Sequence, residues 1–150
     1  MAIAFRASSE ADNGGAVTTL VIDKPTGVVE GDLMLACVRA STDVNMSSAP
    51  SGWTLYSGFP YKPSSFNSTW MYYKVAGASE PSTYTWTIDS GTRTVGNISA
   101  YQDAEFDTFA GAEDNSDDTP PAPTVSVGTA NSWAVLHGTS SCFNSDIGQP

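Results

Sequence analysis

Positive charge is scarce: 6 Lys and Arg stand against 16 Asp and Glu in 150 residues, with one histidine and a formal net charge of −10. A phosphate backbone would be repelled and no basic stripe exists to neutralise one, so nucleic acid is excluded as a partner class. Cysteine is nearly absent. Cys37 and Cys142 are too few for a disulfide framework and lack metal-ligand spacing, so both are read as reduced thiols. No stretch approaches the roughly 18 consecutive apolar residues of a membrane-crossing helix, so no membrane insertion is expected. The start, Met1-Ala-Ile-Ala-Phe-Arg6, lacks the basic region and apolar run of a signal peptide, so the chain is expected to be soluble and made in a cytoplasm. Amphipathic helical spacing of useful length is also missing.

What is present is strand pattern. Only 15% of residues are charged, and Ser, Thr, Gly and Asn fill the surface positions, the profile of an all-β protein. The organising stretch is 17–40. Val17 to Ile22 is short and β-branched and is closed by Asp23-Lys24-Pro25-Thr26-Gly27; Glu30-Gly31-Asp32 then releases Leu33 to Val38. In that second strand Leu33, Leu35 and Cys37 point one way and Met34, Ala36 and Val38 the other. A strand apolar on both faces must be covered on both, by a second sheet, a long loop or another subunit.

The same two-faced pattern recurs over 69–76, with Trp70 and Tyr72 opposite Met71, Tyr73 and Val75. The cleanest alternation is 83–89, with Tyr84, Trp86 and Ile88 inward and Thr83, Thr85 and Thr87 outward. Ser90-Gly91-Thr92 reads as a hairpin turn into a strand over 94–101, with Gly96 a bulge or close-packing site. Further strands are expected over 2–6, 53–57, 124–127 and 133–137, making nine. Irregular loops are expected over 8–15, 41–52 and 58–68. Residues 102–123 hold 7 of the 16 acids together with Pro120, Pro121 and Pro123, and cannot be core. The expectation is one domain over 1–150, an all-β two-sheet antiparallel sandwich of jelly-roll or immunoglobulin-like connectivity, with an acidic loop at 102–123 and an irregular tail at 138–150.

Three stretches together resemble a domain of virion structural proteins of tailed bacteriophages, of the tail, receptor-binding or head-decoration type. They are Lys24-Pro-Thr-Gly-Val-Val-Glu-Gly-Asp-Leu-Met-Leu-Ala36, Ala49-Pro-Ser-Gly-Trp-Thr54 and Tyr73-Lys-Val-Ala-Gly-Ala-Ser-Glu-Pro-Ser-Thr-Tyr-Thr-Trp86. Ile3 to Arg6 and Ile98 to Tyr101 followed by Asp107 are similar to that family as well. The resemblance implies a β-sandwich on a particle surface and carries over no catalytic residue, because the shared positions are turns and core. Such proteins continue past the strand like 133–137, whereas this sequence stops at Pro150, so an abbreviated fold or a sheet completed by a neighbouring chain is expected.

Catalytic readings find little support. His137, at a strand end, has no nucleophile-elbow motif to work with, and Asp103, Glu105 and Asp107 lie in a stretch whose composition predicts solvation. Asp114, Asp117 and Asp118 supply the hard oxygen ligands calcium prefers but lack the order of an EF-hand loop, so that run is read as a solvated acidic loop. No cofactor is expected. The binding candidates are the loop aromatics Tyr56, Phe59, Tyr61 and Phe66, with Val44 and Met46 of the 41–52 loop exposed or set against a neighbour. Trp53, Trp70, Trp86 and Trp133 are assigned to the core.

The expected function is a non-enzymatic phage virion surface protein, a capsid-decoration or tail-associated chain assembled in the host cytoplasm. Its partners would be copies of itself, as a trimer or another cyclic assembly, and other virion proteins. Assembly is inferred from the doubly apolar strands. The alternative is a carbohydrate-binding host-recognition module that stacks glycans on the loop aromatics.

Overall fold

The computed structural model of the protein describes residues 2–64, 67–108, 126 and 132–135. Among them are nine strands and no helix: β1 (Ala4–Asp12), β2 (Val17–Asp23), β3 (Leu33–Ala40), β4 (Met46–Ser48), β5 (Thr54–Leu55), β6 (Tyr61–Ser64), β7 (Asn67–Val75), β8 (Thr83–Thr92) and β9 (Thr94–Gln102). They form two antiparallel sheets packed face to face. The larger has the order β1-β9-β3-β7-β5, with β6 also on β7; the smaller is β2-β8-β4. β1 lies beside β9 and β2 beside β8. That nesting is the jelly-roll order and differs from an immunoglobulin sandwich.

This order corrects two local expectations. The two strands read over 17–40 do not lie in one sheet: β2 belongs to the small sheet and β3 to the large one. Ser90-Gly91-Thr92 is not a turn either: β8 runs on to Thr92, and the chain crosses between sheets at Arg93. Gly91 is required for closeness, since a Cβ there would stand 2.8 Å from the Ala16 carbonyl oxygen. Asn13 holds the crossover. Its Nδ2–H donates to the Thr92 carbonyl (2.9 Å), its Oδ1 accepts the Thr94 N–H (2.9 Å), and its own N–H donates to the Thr94 carbonyl (3.0 Å).

Other boundaries also move. β1 reaches Asp12, although 8–15 reads as a loop, because Ser8, Glu10 and Asp12 alternate onto the exposed face of an edge strand. The 53–57 strand shrinks to Thr54–Leu55, and the loops expected over 41–52 and 58–68 contain β4 and β6. Residues 132–135 carry no strand.

The core lies between the sheets. Large side chains of the small sheet, Leu20, Ile22, Tyr84, Trp86 and Ile88, meet small ones of the large sheet, Ala36, Ala40 and Ala100, beside Met34, Val38, Trp70, Tyr72 and Ile98. Large side chains set against small ones let the two sheets interdigitate. Trp53 enters edge-on between Tyr84 and Trp86, with ring centroids 5.2 and 5.5 Å away. Val44, expected to be exposed or set against a neighbour, is only 4% exposed and belongs to this core; its N–H donates to the Ser68 hydroxyl and its carbonyl accepts from it (3.1 and 3.0 Å). Met46 is half-buried on β4 and packs on the same core.

Candidate functional site

The register of the large sheet sets its outer face. Phe5, Tyr101, Leu33 and Val75 form one row across β1, β9, β3 and β7, and Ser8, Ser99, Leu35 and Tyr73 form the next. These rows are the second apolar face of β3 and β7. Ala104, Phe106 and Val135 pack on Leu33, Leu35, Tyr101 and Tyr73. Of the three covers that the two-faced pattern allows, the chain's own following segment therefore supplies at least part.

Phe106 fixes that cover. It stacks on Tyr73 with centroids 4.4 Å apart and planes 5° from parallel, and meets Tyr56 edge-on at 5.2 Å; Tyr56 in turn meets Phe59 at 6.4 Å. Two of the aromatics expected to bind a partner, Tyr56 and Phe59, are thus half-buried in an intramolecular strip. Tyr61, at the start of β6, remains exposed. Phe66 lies outside the described residues, as do Asp114, Asp117, Asp118, His137 and Cys142. Cys37 is a buried free thiol whose pKa burial pushes up to about 12, so it stays protonated and unreactive at neutral pH.

At the end of the same face lies a cleft of about 810 Å³, lined by Arg6, the 29–32 turn, Val75 and residues 102–105. Two of its lining residues, Arg6 and Asp32, form an ion pair. Arg6 Nη2 donates to Asp32 Oδ1 at 2.9 Å and Arg6 Nε lies 2.5 Å from Oδ2, while Oδ2 also accepts the Val29 N–H at 2.9 Å. Asp32 is buried, so the hydrogen bond and ion pair with Arg6 compensate a charge that would otherwise stand alone in the interior. Glu30, Asp103 and Glu105 are exposed on the walls, and Asp103 adopts a left-handed conformation at φ 53° as the chain leaves β9. Among the described residues no group of three or more His, Cys, Asp or Glu is placed to hold a metal ion.

Two aromatics flank Tyr101 beside this cleft. Phe5 meets it edge-on at 5.7 Å and Trp133 at 6.5 Å and 80°. Trp133, assigned to the core from its strand-like surroundings, is 51% exposed. The sequence misled here because the apolar run Trp133-Ala-Val-Leu136 after a polar Asn-Ser pair reads like the start of a strand. Composition alone does not separate a cover segment from a strand of the sheet.

The outer face of the small sheet differs in kind. Thr19 faces Thr87, Val21 faces Thr85 and Asp23 faces Thr83, and Val17 and Val21 are exposed. Asp23 is the one charge among these six.

No protein-family model matches the chain, and neither does any curated protein or solved structure.

Proposed function

We propose that the chain is a non-enzymatic surface protein of a tailed-bacteriophage virion, a capsid-decoration or tail-associated sandwich that assembles with copies of itself and with other virion proteins. The particle setting rests on the three stretches that resemble such proteins, and the sandwich that they imply is the fold of this chain. The basis for assembly moves, because the chain itself packs on the outer faces of β3 and β7.

The observation that carries assembly is the outer face of β2 and β8. Copies with a net charge of −10 repel one another, so a contact between them favours a face with little charge. The Thr19, Val21, Thr83, Thr85 and Thr87 face meets that need, and Val21 at 49% exposure offers an apolar centre. An uncharged surface of this kind costs less to desolvate than a charged one, and its threonine hydroxyls can pair across the contact. Light scattering after size exclusion at two concentrations should give a fixed multiple of 15.7 kDa, and Val21→Asp should reduce it to the monomer. A monomer at both concentrations defeats self-assembly. Absence of the chain from purified particles of the phage that encodes it, by mass spectrometry, defeats the virion reading.

A further inference from the structure

We infer that the cleft at the end of the large sheet, with Trp133 and Phe5 as its aromatic flank, binds a neutral oligosaccharide. Of the exposed large apolar side chains, Val29 and Val75 line the cleft, and Phe5 and Trp133 stand on Tyr101, in the cross-strand row that ends at Val75. Trp133 meets Tyr101 edge-to-face and is still 51% exposed, so its indole offers surface to the C–H groups of a sugar ring. Around the cleft stand the acceptor-only carboxylates of Glu30, Asp103 and Glu105 and the amide of Gln102, which can accept and donate. Ring faces beside groups that pair with vicinal hydroxyls are what a polyhydroxylated ring requires. The volume of about 810 Å³ falls in the range of small-molecule sites.

Other occupants fit less well. A second copy would bring its own excess of acids against three carboxylates. An added peptide strand needs a free sheet edge, but this cleft crosses the ends of β1, β9, β3 and β7, marked by Arg6, Gln102, Asp32 and Val75. Sulfated or uronic glycans would be repelled by the same carboxylates. The site also differs from the Tyr56 and Phe59 strip, whose rings stack on their own chain. The inference is independent of the particle reading: a chain absent from virions could still bind sugar here, and a virion protein could lack the site.

The test is titration calorimetry of the full chain with neutral oligomers of glucose, galactose, mannose and N-acetylglucosamine, with dextran sulfate and a peptide alternating lysine and leucine as comparators. One neutral series should bind, Trp133→Ala should weaken it by about tenfold or more, and Phe59→Ala should leave it unchanged. Because Trp133→Ala also touches the cover, Glu105→Gln and Asp103→Asn provide a second arm: both sit on exposed walls, and asparagine tolerates the left-handed backbone at 103. Each should weaken sugar binding with the melting temperature unchanged. The inference is overturned if no neutral oligomer binds at about 5 mM, if binding survives all three cleft variants, or if the lysine peptide alone binds and loses affinity in them.

Discussion

Tyr73 and Phe106 lie parallel, 4.4 Å between centroids and 5° between planes, one on a central strand and the other on the segment after the last strand. The contact joins the cover to the sheet. Phe106→Ala removes this stack and the edge contact with Tyr56 together, and uncovers Leu33 and Leu35. The ring is half-buried, so the expected loss is about 2 kcal/mol, below the cost of a fully buried Phe. Urea unfolding would measure it, and increased binding of an apolar dye would report the uncovered face. Unchanged stability together with unchanged dye binding would mean that Phe106 does not hold the cover.

Glu80 gives the fold an acid limit. Its carboxylate is nearly buried, accepting from Lys74 Nζ (2.7 Å), the Tyr84 hydroxyl (2.8 Å) and the Gly77 N–H (2.7 Å). Burial alone would raise its pKa, but the hydrogen bonds and the Lys74 charge outweigh it and hold the group below its ordinary 4.5. A carboxyl depressed on folding stabilises fully above its unfolded value, and that contribution is lost as pH falls through the folded one. Stability should therefore decline below about pH 4.5, and Glu80→Gln should flatten that decline. At pH 7 the variant should lose about 3 kcal/mol, since Lys74 stays partly buried without its charge partner. Denaturation curves from pH 3 to 7 would decide it; an unchanged acid slope in the variant would assign the effect to other carboxylates.

The class of fold was legible because strict alternation at Tyr84, Trp86 and Ile88 and the two-faced runs at Leu33 to Val38 and Trp70 to Val75 follow directly from burial. The sheet each strand joins was not. Gly91 looks like a turn residue from its neighbours, yet it is a place where Ala16 comes close, and closeness is a tertiary fact. The same limit hid the candidate site. Trp133 and Phe5 are joined through Tyr101, and Arg6 finds Asp32 across 26 residues, so no local pattern joins them.

Asn13 should be the most costly polar residue of the first loop. Its side chain satisfies the Thr92 carbonyl and the Thr94 N–H at the point where β8 leaves one sheet and β9 enters the other. Asn13→Ala leaves both part-buried groups without that partner, with an expected loss of about 2 kcal/mol. Asn13→Asp should restore the bond from Thr94 and not the one to Thr92, falling between the two. Thermal melts of the three proteins give the order, and equal values for the alanine and aspartate variants would show that the Thr94 bond contributes nothing.

Gly96 tests how closely the sheets approach. Its pairing with Ala11 and Val38 is continuous, so it is no bulge, and its inward side faces the small sheet. A Cβ there would stand 2.9 Å from the Cys37 carbonyl oxygen and from Leu20 Cδ2, and 3.1 Å from Ile22 Cδ1. The leucine and isoleucine ends could turn aside, but the carbonyl belongs to the central strand and cannot move without disturbing the β3 ladder. Gly96→Ala should therefore destabilise by about 2 kcal/mol even though alanine is the better strand residue, and Gly96→Val by more. Adding Leu20→Ala to Gly96→Ala separates the two clashes. If the double variant is no less stable than Leu20→Ala alone, the obstacle is the side chain; if the full cost of Gly96→Ala persists, it is the Cys37 carbonyl, and the spacing of β9 from β3 is what excludes every side chain at 96.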